Sequence, residues 1–526
     1  VALDAVAAGT SLRLHTVNDV VIVGGGMTGL IVASELVRVG CSPIVLERQW
    51  TVGGVWRTHG NPHSRVNSTE PAYRMRVERT SSNADHSYFH EIIDDIRRLA
   101  AQLPQEFLAL GAAVHAVFRH PSIGNLCAHG FQKIDASSAA PAEFLTVASA
   151  MLLLCTNRRL GPPRRVNYQG ETNFGGIIKR GLGGDIVSLP WAGAQVIIIG
   201  HGPFAIEQAR TALEHHAAGV LLAVRRHGLI SPAVLDYLNI VRPFTDKFEH
   251  PTSGSGLMLR LWRDAYAVVR ASPPETWEHG IFRPDGHSVS VSDIYFIAHH
   301  HYLITTRRAS VLCFSDKNVT LDDGTVHLAH VVLKCLGFEI NEGNERLVGR
   351  ACMLPNGVVE QGLWTIVEPH LDAKTNLLPL VGHVSSINFT AKLVAALWNG
   401  QRYSTHGFAV LPRYTESLVV RINHVTASAA NQHMLSQLAS DEGLRDQLTQ
   451  HVEAVAQDCH ASWRPEEYLA VNREQWATLN TFLASLSRRG AKCLPYQFEN
   501  ALEVLKLELP HVLMEASRES MPLMND

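Results

Sequence analysis

The stretch VIIIGHGPFAIEQAR, from Val196 to Arg210, reads as a buried strand that turns through glycines into a helix. A second stretch of the same kind, VVIVGGGMTGLIVASEL, lies upstream from Val20 to Leu36. In each, a run of Val and Ile precedes a G-x-G-x-x-G turn or its G-x-G-x-x-A variant. Such a turn holds a pyrophosphate at the start of a helix. The repeat predicts two dinucleotide-binding units in one chain.

The composition is typical of a well-buried globular protein with several domains. The chain has 526 residues, of which 46% are hydrophobic and 18% charged, and its formal net charge is -3. At about 150 residues per domain, this length predicts roughly two to four domains. Because so small a net charge gives no basic field, we expect no nucleic-acid partner.

The eight cysteines form no C-x-x-C pair, so they indicate neither a zinc site nor a redox dithiol. Free thiols are typical of a reducing compartment, and we expect a cytoplasmic protein. No apolar run approaches the ~20 residues of a membrane-spanning helix. Whether a targeting segment precedes Val1 stays open. Three adjacent histidines, His299 to His301, would point in different directions on a helix, so we expect no metal site.

The first glycine loop has the residues that a dinucleotide needs. Gly24 permits the tight turn, Gly26 lets the backbone approach a pyrophosphate, and Gly29 lets helix and strand pack closely. Glu47 closes the next strand, where a carboxylate accepts hydrogen bonds from ribose hydroxyls. The candidate cofactor-binding residues here are Gly24, Gly25, Gly26, Met27, Thr28, Gly29 and Glu47.

A second pair of glycines follows Glu47 in the segment Gly53-Gly54-Val55-Trp56. The glycines allow another close backbone approach, and the indole can cover an aromatic ring system. We therefore count Gly53, Gly54, Val55 and Trp56 as candidate cofactor-binding residues. A Gly-Gly turn beside a core tryptophan would leave the same pattern, so both interpretations stay open.

These segments resemble the class B flavin-dependent monooxygenases, which comprise the flavin-containing, Baeyer–Villiger and N-hydroxylating enzymes. The family's FAD loop is followed by an acidic residue and then by a GGxW-like segment, as found here from Gly24 to Trp56. The resemblance implies FAD in the first dinucleotide fold and NADPH in a second one inserted within it. It extends from residue 19 to about residue 395.

The second loop fits a nicotinamide cofactor. Ala205 replaces the last glycine of the motif, and its methyl group still allows close packing. The next strand ends in Arg225-Arg226, and guanidinium groups suit a 2'-phosphate where a carboxylate suits a free 2'-hydroxyl. We predict NADPH, although a merely solvated strand end would leave NADH open. The candidate residues are Gly200, Gly202, Phe204, Ala205, Arg225 and Arg226.

Two residues are candidates for catalytic roles. Asn67 lies downstream of Trp56, where the resemblance implies an asparagine that borders flavin and substrate. A turn-forming asparagine explains Asn67 equally well. Arg180 stands where the family's F-x-G-x-x-x-H segment ends in histidine, and it could contact a cofactor phosphate.

One further cofactor-binding candidate is Gly382, which lies in a segment that resembles the family's last FAD-contacting stretch.

The resemblance implies an NADPH-dependent FAD monooxygenase that forms a C4a-(hydro)peroxyflavin with molecular oxygen and oxygenates a small organic substrate. Oxygenation at N or S is favoured over Baeyer–Villiger insertion, because Arg180 breaks a segment stressed in the latter. Two alternatives stay open. One is a non-oxygenating NAD(P)H:flavin oxidoreductase of the same fold, and the other is a non-catalytic flavin-binding interaction protein.

The predicted architecture is α/β, with two Rossmann-like domains and a mostly helical C-terminal extension. The FAD-binding domain comprises residues 1–165 and 331–400, the inserted NADPH-binding domain residues 166–330, and the extension residues 401–526. Local patterns predict a helix over 89–110 interrupted at Pro104, buried strands within 144–157, a helix over 291–304 and strands around an Asp323-Gly324 turn.

Overall fold

The computed structural model describes residues 16–339, apart from 76–80, 120–125, 134–142, 150, 158–159, 234, 237–255, 276 and 278–288. Beyond residue 339 it describes Leu347, Leu363–Thr365, Ala391, Ala395, Trp398, Ala477 and Thr481. Gly382 and almost all of the predicted helical extension therefore lie outside the described residues.

The secondary structure alternates between strands and helices. The α-helices are α1 Met27–Arg38, α2 Gly54–His59, α3 Glu70–Tyr73, α4 Phe89–Ala101, α5 Pro203–Glu214, α6 Gly256–Val269 and α7 Asp293–His300. The strands are β1 Thr16–Val17, β2 Val20–Val23, β3 Pro43–Glu47, β4 Leu108–Leu110, β5 Ala112–Arg119, β6 Leu126–Gln132, β7 Glu143–Ser149, β8 Met151–Leu154, β9 Ile177–Lys179, β10 Gln195–Ile199, β11 Gly219–Val224, β12 Ile230–Ser231, β13 Ser290–Val291, β14 Ile304–Arg308, β15 Val311–Phe314, β16 Asn318–Leu321, β17 Val326–Leu328, β18 Val331–Lys334 and β19 Leu363–Thr365. Among the helices of the described residues, none is long and apolar enough to cross a membrane.

The first dinucleotide unit is a parallel sheet with the strand order β19-β8-β2-β3-β4. Strands β2 and β3 are buried along their whole length, as strands covered on both faces must be. Helix α1 connects them and packs with α4 on one face. The antiparallel strands β5, β6 and β7 cover the other face.

The second unit repeats this plan. Its parallel sheet has the strand order β14-β11-β10-β18-β9, and helix α5 connects β10 to β11. Helices α5, α6 and α7 pack in the core on one face. The antiparallel strands β15, β16 and β17 cover the opposite face. Both units are thus three-layered, which confirms the predicted α/β class with two Rossmann-like domains.

Two segments connect the units and pair with each other. The amide of Gly161 donates to the carbonyl of Glu339 at 3.1 Å, and that of Arg164 donates to the carbonyl of Gly337 at 3.0 Å. The first segment follows β8 of the first sheet, and the other follows β18 of the second sheet. Strand β19 then joins the first sheet, so the chain returns to the unit from which it departed.

Two predicted helices are shorter in the structure. The helix predicted over 89–110 is wrong beyond Ala101: Pro104 has no N–H to continue it, and residues 108–110 form β4 beside β3. The helix predicted over 291–304 ends at His300, and Ile304 begins β14. The buried strands within 144–157 and the turn at Asp323-Gly324 are confirmed, with Gly324 at φ 80°.

Candidate functional site

The first glycine loop is so tightly packed that side chains are excluded from it. Gly24 has φ 113°, and a Cβ there would lie 2.6 Å from the carbonyl oxygen of Cys155. A Cβ at Gly29 would lie 2.0 Å from the carbonyl oxygen of Gly24. Because both approaches are to backbone, no rotation of a side chain can relieve them. The loop therefore needs glycine at these positions for its own packing.

The two loop helices begin without a side-chain cap. No side chain caps the N-terminus of α1 at Gly26 or of α5 at Gly202. By contrast, Ser292 caps α7 by accepting a hydrogen bond from the Tyr295 amide at 3.2 Å. The first N–H groups of a helix lack intrahelical partners and carry partial positive charge, so they suit a phosphate.

Glu47 lies directly beside the first loop. Its side chain is buried, and its Oε2 accepts a hydrogen bond from the amide of Gly25 at 2.7 Å. Its Oε1 accepts one from the amide of Gln49 at 2.8 Å. Since each carboxylate oxygen offers two lone pairs, both can accept a further bond from a ribose hydroxyl.

The second glycine pair packs against the first loop. The amide of Gly53 donates to the carbonyl of Gly25 at 3.2 Å, and a Cβ at Gly54 would lie 3.0 Å from the Cα of Gly26. Trp56 follows on α2 and donates from Nε1 to the hydroxyl of Tyr73 at 2.6 Å. The GGVW segment thus lies along the first loop, with the half-buried indole oriented by Tyr73.

The second loop has the same backbone with more space around it. Gly200 has φ 129°, and a Cβ there would lie 2.4 Å from the carbonyl oxygen of Cys335. A Cβ at Gly202, however, would meet none of the described atoms within 4 Å. The open space at Gly202 is what the close approach of a ligand requires. Ala205 is fully buried, so its methyl group is accommodated in the packing of α5.

Arg225 and Arg226 lie exposed directly after β11. Within the described residues neither guanidinium is paired with a carboxylate. The next residue, His227, holds Glu275 through its ring Nδ1 at 2.8 Å and through its amide. Burial alone would raise the pKa of Glu275, but hydrogen bonds from its own backbone and from His227 lower it. Arg308 lies 3.6 Å from the same carboxylate, which adds positive charge to this edge of the sheet.

Aromatic contacts bring the start of α5 next to α2. The rings of His59 and Phe338 lie 5.1 Å apart, and those of Phe338 and Phe204 lie 5.4 Å apart. Burial lowers the pKa of His59, so this ring is neutral at neutral pH. Phe338 belongs to a connecting segment, so Phe204 and the GGVW helix meet where the chain passes between the units.

Asn67 joins the two units through its amide. Its Nδ2 donates to the carbonyl of Val289, and its Oδ1 accepts from the amide of Val291 at 2.9 Å. One N–H and one lone pair of the side chain remain for other partners. Arg180 is exposed after β9, and its amide donates to Asp185 at 3.2 Å. The structure therefore places Asn67 at the junction of the units and Arg180 at the edge of the second sheet.

Sequence reasoning missed further polar residues at the junction. The amide of Thr69 donates to Asp236 Oδ2 at 2.7 Å, and burial raises the pKa of Asp236 to about 6. On α5, Glu207 accepts hydrogen bonds from Ser64 and Arg65, and Arg210 donates one to the carbonyl of His63. The sequence does contain a pattern that indicates such contacts. Glu207, Arg210 and Glu214 alternate in charge and share one face of a helix.

The adjacent histidines for which no metal site was expected have different surroundings in the structure. His299 is buried and lies 3.1 Å from the hydroxyl of Thr306, whereas His300 is exposed. Across the part of the chain that is described, no group of three His, Cys, Asp or Glu side chains is arranged to hold a metal ion.

Comparison of the sequence with known proteins gives matches within the first unit. A family profile described as an NAD(P)-binding Rossmann-like domain matches residues 22–87, which include the first loop, Glu47 and the GGVW segment. The FAD-binding monooxygenase acrE of Aspergillus aculeatus is 37% identical over 62 residues, which are 12% of this chain. The match spans only 10% of that enzyme.

Solved structures resemble the chain over much more of its length. An open crystal structure of cyclohexanone monooxygenase superimposes with a TM-score of 0.54 at 13% identity, over 85% of this chain and 99% of that one. OTEMO in complex with FAD and NADP superimposes with a TM-score of 0.51 at 16% identity, over 73% of this chain and 86% of that one. The first unit thus matches a Rossmann-like domain profile, and the chain shares its fold with these two monooxygenases.

Proposed function

We propose that this chain is an NADPH-dependent FAD monooxygenase that uses molecular oxygen to oxygenate a small organic substrate. One observation carries the proposal. Two glycine loops of the same geometry lie in adjoining units, and one is followed by a buried carboxylate while the other is followed by two exposed guanidinium groups. A chain with two such loops can hold two different dinucleotides side by side.

The first unit fits FAD. The amides at the start of α1 would receive the pyrophosphate, and Glu47 would accept hydrogen bonds from the ribose. The described residues proposed to hold FAD are Gly24, Gly25, Gly26, Met27, Thr28, Gly29, Glu47, Gly53, Gly54, Val55 and Trp56. Gly382, outside the described residues, is proposed to belong to the same site.

The second unit fits NADPH. The open space at Gly202 supports a close approach of the pyrophosphate to the backbone. The guanidinium groups of Arg225 and Arg226 support recognition of a 2'-phosphate, because among the described residues no carboxylate is paired with either of them. Gly200, Phe204 and Ala205 complete the proposed site. The proposed domain boundaries remain 1–165 and 331–400 for FAD, 166–330 for NADPH and 401–526 for the extension.

When bound, FAD and NADPH would supply hydride transfer and the activation of molecular oxygen, one atom of which would enter the substrate while the other leaves as water. The residues of the chain would position these groups and exclude water from them. Tyr73 orients the indole of Trp56, and neutral His59 adds no positive charge beside Phe338. Asn67 keeps one N–H for a bound oxygen species or a substrate, and Arg180 would contact a cofactor phosphate.

We propose oxygenation at N or S, since Arg180 replaces the histidine of the segment that the sequence resembles. Insertion beside a ketone carbonyl is the second candidate. It is favoured by the fold shared with cyclohexanone monooxygenase, one structure of which carries ε-caprolactone. The two chemistries give different products from a sulfide and a cyclic ketone.

Stopped-flow spectroscopy tests the proposal. The protein is loaded with FAD, reduced anaerobically with NADPH and mixed with oxygen. Bleaching by NADPH, followed by a transient spectrum before oxidised flavin returns, supports a monooxygenase. Direct return of oxidised flavin with one equivalent of peroxide, with and without substrate, contradicts it. Failure to bind FAD contradicts the assignment of both loops. Product analysis with an alkyl aryl sulfide and with cyclohexanone then separates heteroatom oxygenation from ketone insertion.

A further inference from the structure

Helix α5 carries a stripe of ionisable residues where a core helix normally carries apolar ones. Glu207, Arg210 and Glu214 lie at spacings of three and four residues, so they share one face of the helix. Arg210 is buried, and Glu207 and Glu214 are largely shielded from solvent. The same helix begins at the second glycine loop, so the stripe belongs to the element proposed to hold NADPH.

The stripe binds residues 63–65 of the first unit. The hydroxyl of Ser64 donates to Glu207 Oε1 at 2.9 Å, and the amide of Arg65 donates to Glu207 Oε2 at 3.4 Å. Arg210 donates from Nη2 to the carbonyl of His63 at 2.8 Å. Glu214 lies 3.2 Å from Nη2 of Arg65 and also accepts from Arg210 at 2.9 Å. We call Glu207, Arg210 and Glu214 together with residues 63–65 the polar clasp.

The equivalent helix of the first unit has a different surface. Ile31 lies seven positions after Gly24, as Glu207 lies seven positions after Gly200. Ile31 is 2% exposed and packs in one apolar cluster with Ile92 and Ile96 of α4. An apolar side chain therefore satisfies this place in the fold, and the carboxylate at 207 is not needed to build a helix on a parallel sheet.

Buried charges are a poor source of stability. Burial raises the pKa of Glu207 and lowers that of Arg210, so each charged form is disfavoured by its surroundings. The desolvation of such groups cancels much of their attraction. Their hydrogen bonds are nevertheless directional, since they weaken when distance or angle changes. A polar clasp is thus suited to fixing one orientation between the surfaces that it joins.

The clasp lies a short way along the chain from both proposed cofactor sites. Residues 63–65 follow α2, which begins with the GGVW segment beside the first loop. Glu207 lies little more than one turn into α5, which begins at the second loop. A change of orientation at the clasp would therefore move one nucleotide relative to the other. Reacting atoms must approach to about 3–3.5 Å, and a misplacement of about 1 Å can lower a rate about 100-fold.

We infer that Glu207 is a positioning residue, which through Ser64 and Arg65 sets the orientation of the NADPH-binding unit relative to the FAD-binding unit for hydride transfer. This inference rests on the proposed function. Arg210 and Glu214 hold the same loop at its neighbouring residues. Among the described residues, the hydrogen bonds and ion pairs of the clasp given above do not include either glycine loop. Its expected effect is therefore on the approach of the two nucleotides and not on the binding of either.

The test compares Glu207→Ile, which copies Ile31, and Glu207→Gln with the parent chain. Glu35→Gln is the matched control, because Glu35 lies on the equivalent helix α1 and pairs with Arg38 of the same helix. We expect both Glu207 variants to retain FAD and to bind NADPH within about 3-fold of the parent. The rate of anaerobic flavin reduction should fall about 10- to 100-fold. Glu35→Gln should leave that rate unchanged.

A readout without turnover is hydrogen exchange in the peptide that contains residues 61–67, measured in the absence of NADPH. Exchange there should be faster in Glu207→Gln, because the amide of Arg65 loses its charged acceptor. Faster exchange with an unchanged reduction rate would show that the clasp does not position the nucleotides. Unchanged exchange would show that the clasp does not hold this loop. Either result overturns the inference.

A double-variant cycle keeps the test valid if Glu207→Ile fails to fold. Ser64→Ala removes the hydroxyl donor from the opposite side of the clasp and leaves α5 intact. If the two residues act through one contact, Ser64→Ala combined with Glu207→Gln lowers the reduction rate no further than Glu207→Gln alone. Additive effects would overturn the inference. A parent chain that binds no FAD, or is not reduced by NADPH, contradicts the proposed function instead.

Discussion

In the first unit the middle residue of the loop, Gly25, gives its amide hydrogen to Glu47 on the next strand. In the second unit the equivalent residue, His201, uses its ring Nδ1 to accept the amide hydrogen of Gly228 at 2.7 Å. The backbones are otherwise alike, since Gly26 and Gly202 precede their helices at φ -79° and φ -84°. The first loop is thus bonded to the following strand, whereas the second is bonded to the segment after that strand.

The shared backbone and the proposed ligand preference thus depend on separate residues. The positive φ of Gly24 and of Gly200 belongs to the turn itself, and both units require it. The charged group at the end of the strand that follows each loop differs between the units. It is the carboxylate of Glu47 in the first unit and the guanidinium of Arg225 in the second. Four variants, given in decreasing order of expected effect, test the loops and the junction between the units.

Gly29→Ala should be the most damaging, because its Cβ would lie 2.0 Å from the carbonyl oxygen of Gly24. Overpacking of this kind costs about 1–3 kcal/mol or more, and it would also displace the loop backbone. We expect the variant to lose FAD on gel filtration and to unfold at a lower temperature. Full FAD content at the parent's Tm would show that the first loop is less constrained than its geometry indicates.

Arg225→Ala combined with Arg226→Ala should weaken the binding of NADPH while leaving NADH unaffected. Each hydrogen bond to a charged group contributes about 1.5–3 kcal/mol, which corresponds to about a 10- to 100-fold rise in Kd. Titration of flavin reduction with each nucleotide at low and high salt measures the effect. Equal weakening for both nucleotides would mean that the arginines do not recognise the 2'-phosphate.

Asp236→Asn should stabilise the junction between the units above pH 6 and have little effect at low pH. The pKa of Asp236 is raised from 3.8 to about 6, because burial, together with the nearby Asp85, outweighs the opposite effects of His86 and of the Thr69 amide. A pKa raised by folding means that the parent loses stability as the pH rises from about 4 to about 6. The asparagine keeps an oxygen for the Thr69 amide, so this loss should disappear.

The gain of Asp236→Asn at pH 7.5 should be at most about 3 kcal/mol. Chemical denaturation at pH 4.5 and pH 7.5 measures it, with Asp264→Asn, on an exposed site of α6, as the control. A variant that is less stable than the parent at pH 7.5 would contradict the direction of the pKa shift.

Ala205→Gly should have the smallest effect and is the counterpart of Gly29→Ala. Glycine in a helix interior costs about 1 kcal/mol relative to alanine, and the buried methyl group is lost as well. We expect a small fall in Tm, with unchanged Kd for NADPH and FAD. A large loss of NADPH binding would indicate that the methyl group, and not only the backbone, shapes the second loop.

Motifs of consecutive residues were enough to predict much of the fold. Contacts between residues far apart in the sequence could not be predicted from them. The glycine loops and the strand-ending residues Glu47 and Arg225 stand out because the glycines and Val/Ile runs are consecutive in the sequence. Ser64 and Glu207, by contrast, are 143 positions apart, and Thr69 and Asp236 are 167 apart. A contact over such a distance depends on how complete units pack. The sequence therefore predicted the type of each unit but not the clasp between them.

The helix predicted to Leu110 failed for a related reason. Residues 108–110 are apolar enough for either a helix or a strand, and only pairing with β3 decides between them. Asn67 illustrates the same point, because its turn-like sequence gives no hint that Val289 and Val291 lie opposite its amide. The roles proposed for Asn67 and Arg180 in catalysis stay predictions.

The paired connecting segments give the second unit an unusual modularity. Because Gly161 is hydrogen-bonded to Glu339, the chain leaves the first unit and re-enters it at one point. The cost of closing a loop depends on the separation of its ends and only weakly on its length. The entropic cost of the whole intervening sequence to the folding of the first unit is therefore close to that of one short surface loop. Lengthening or replacing that insertion should leave the first sheet intact, provided that the residues around 161–164 and 337–339 remain paired.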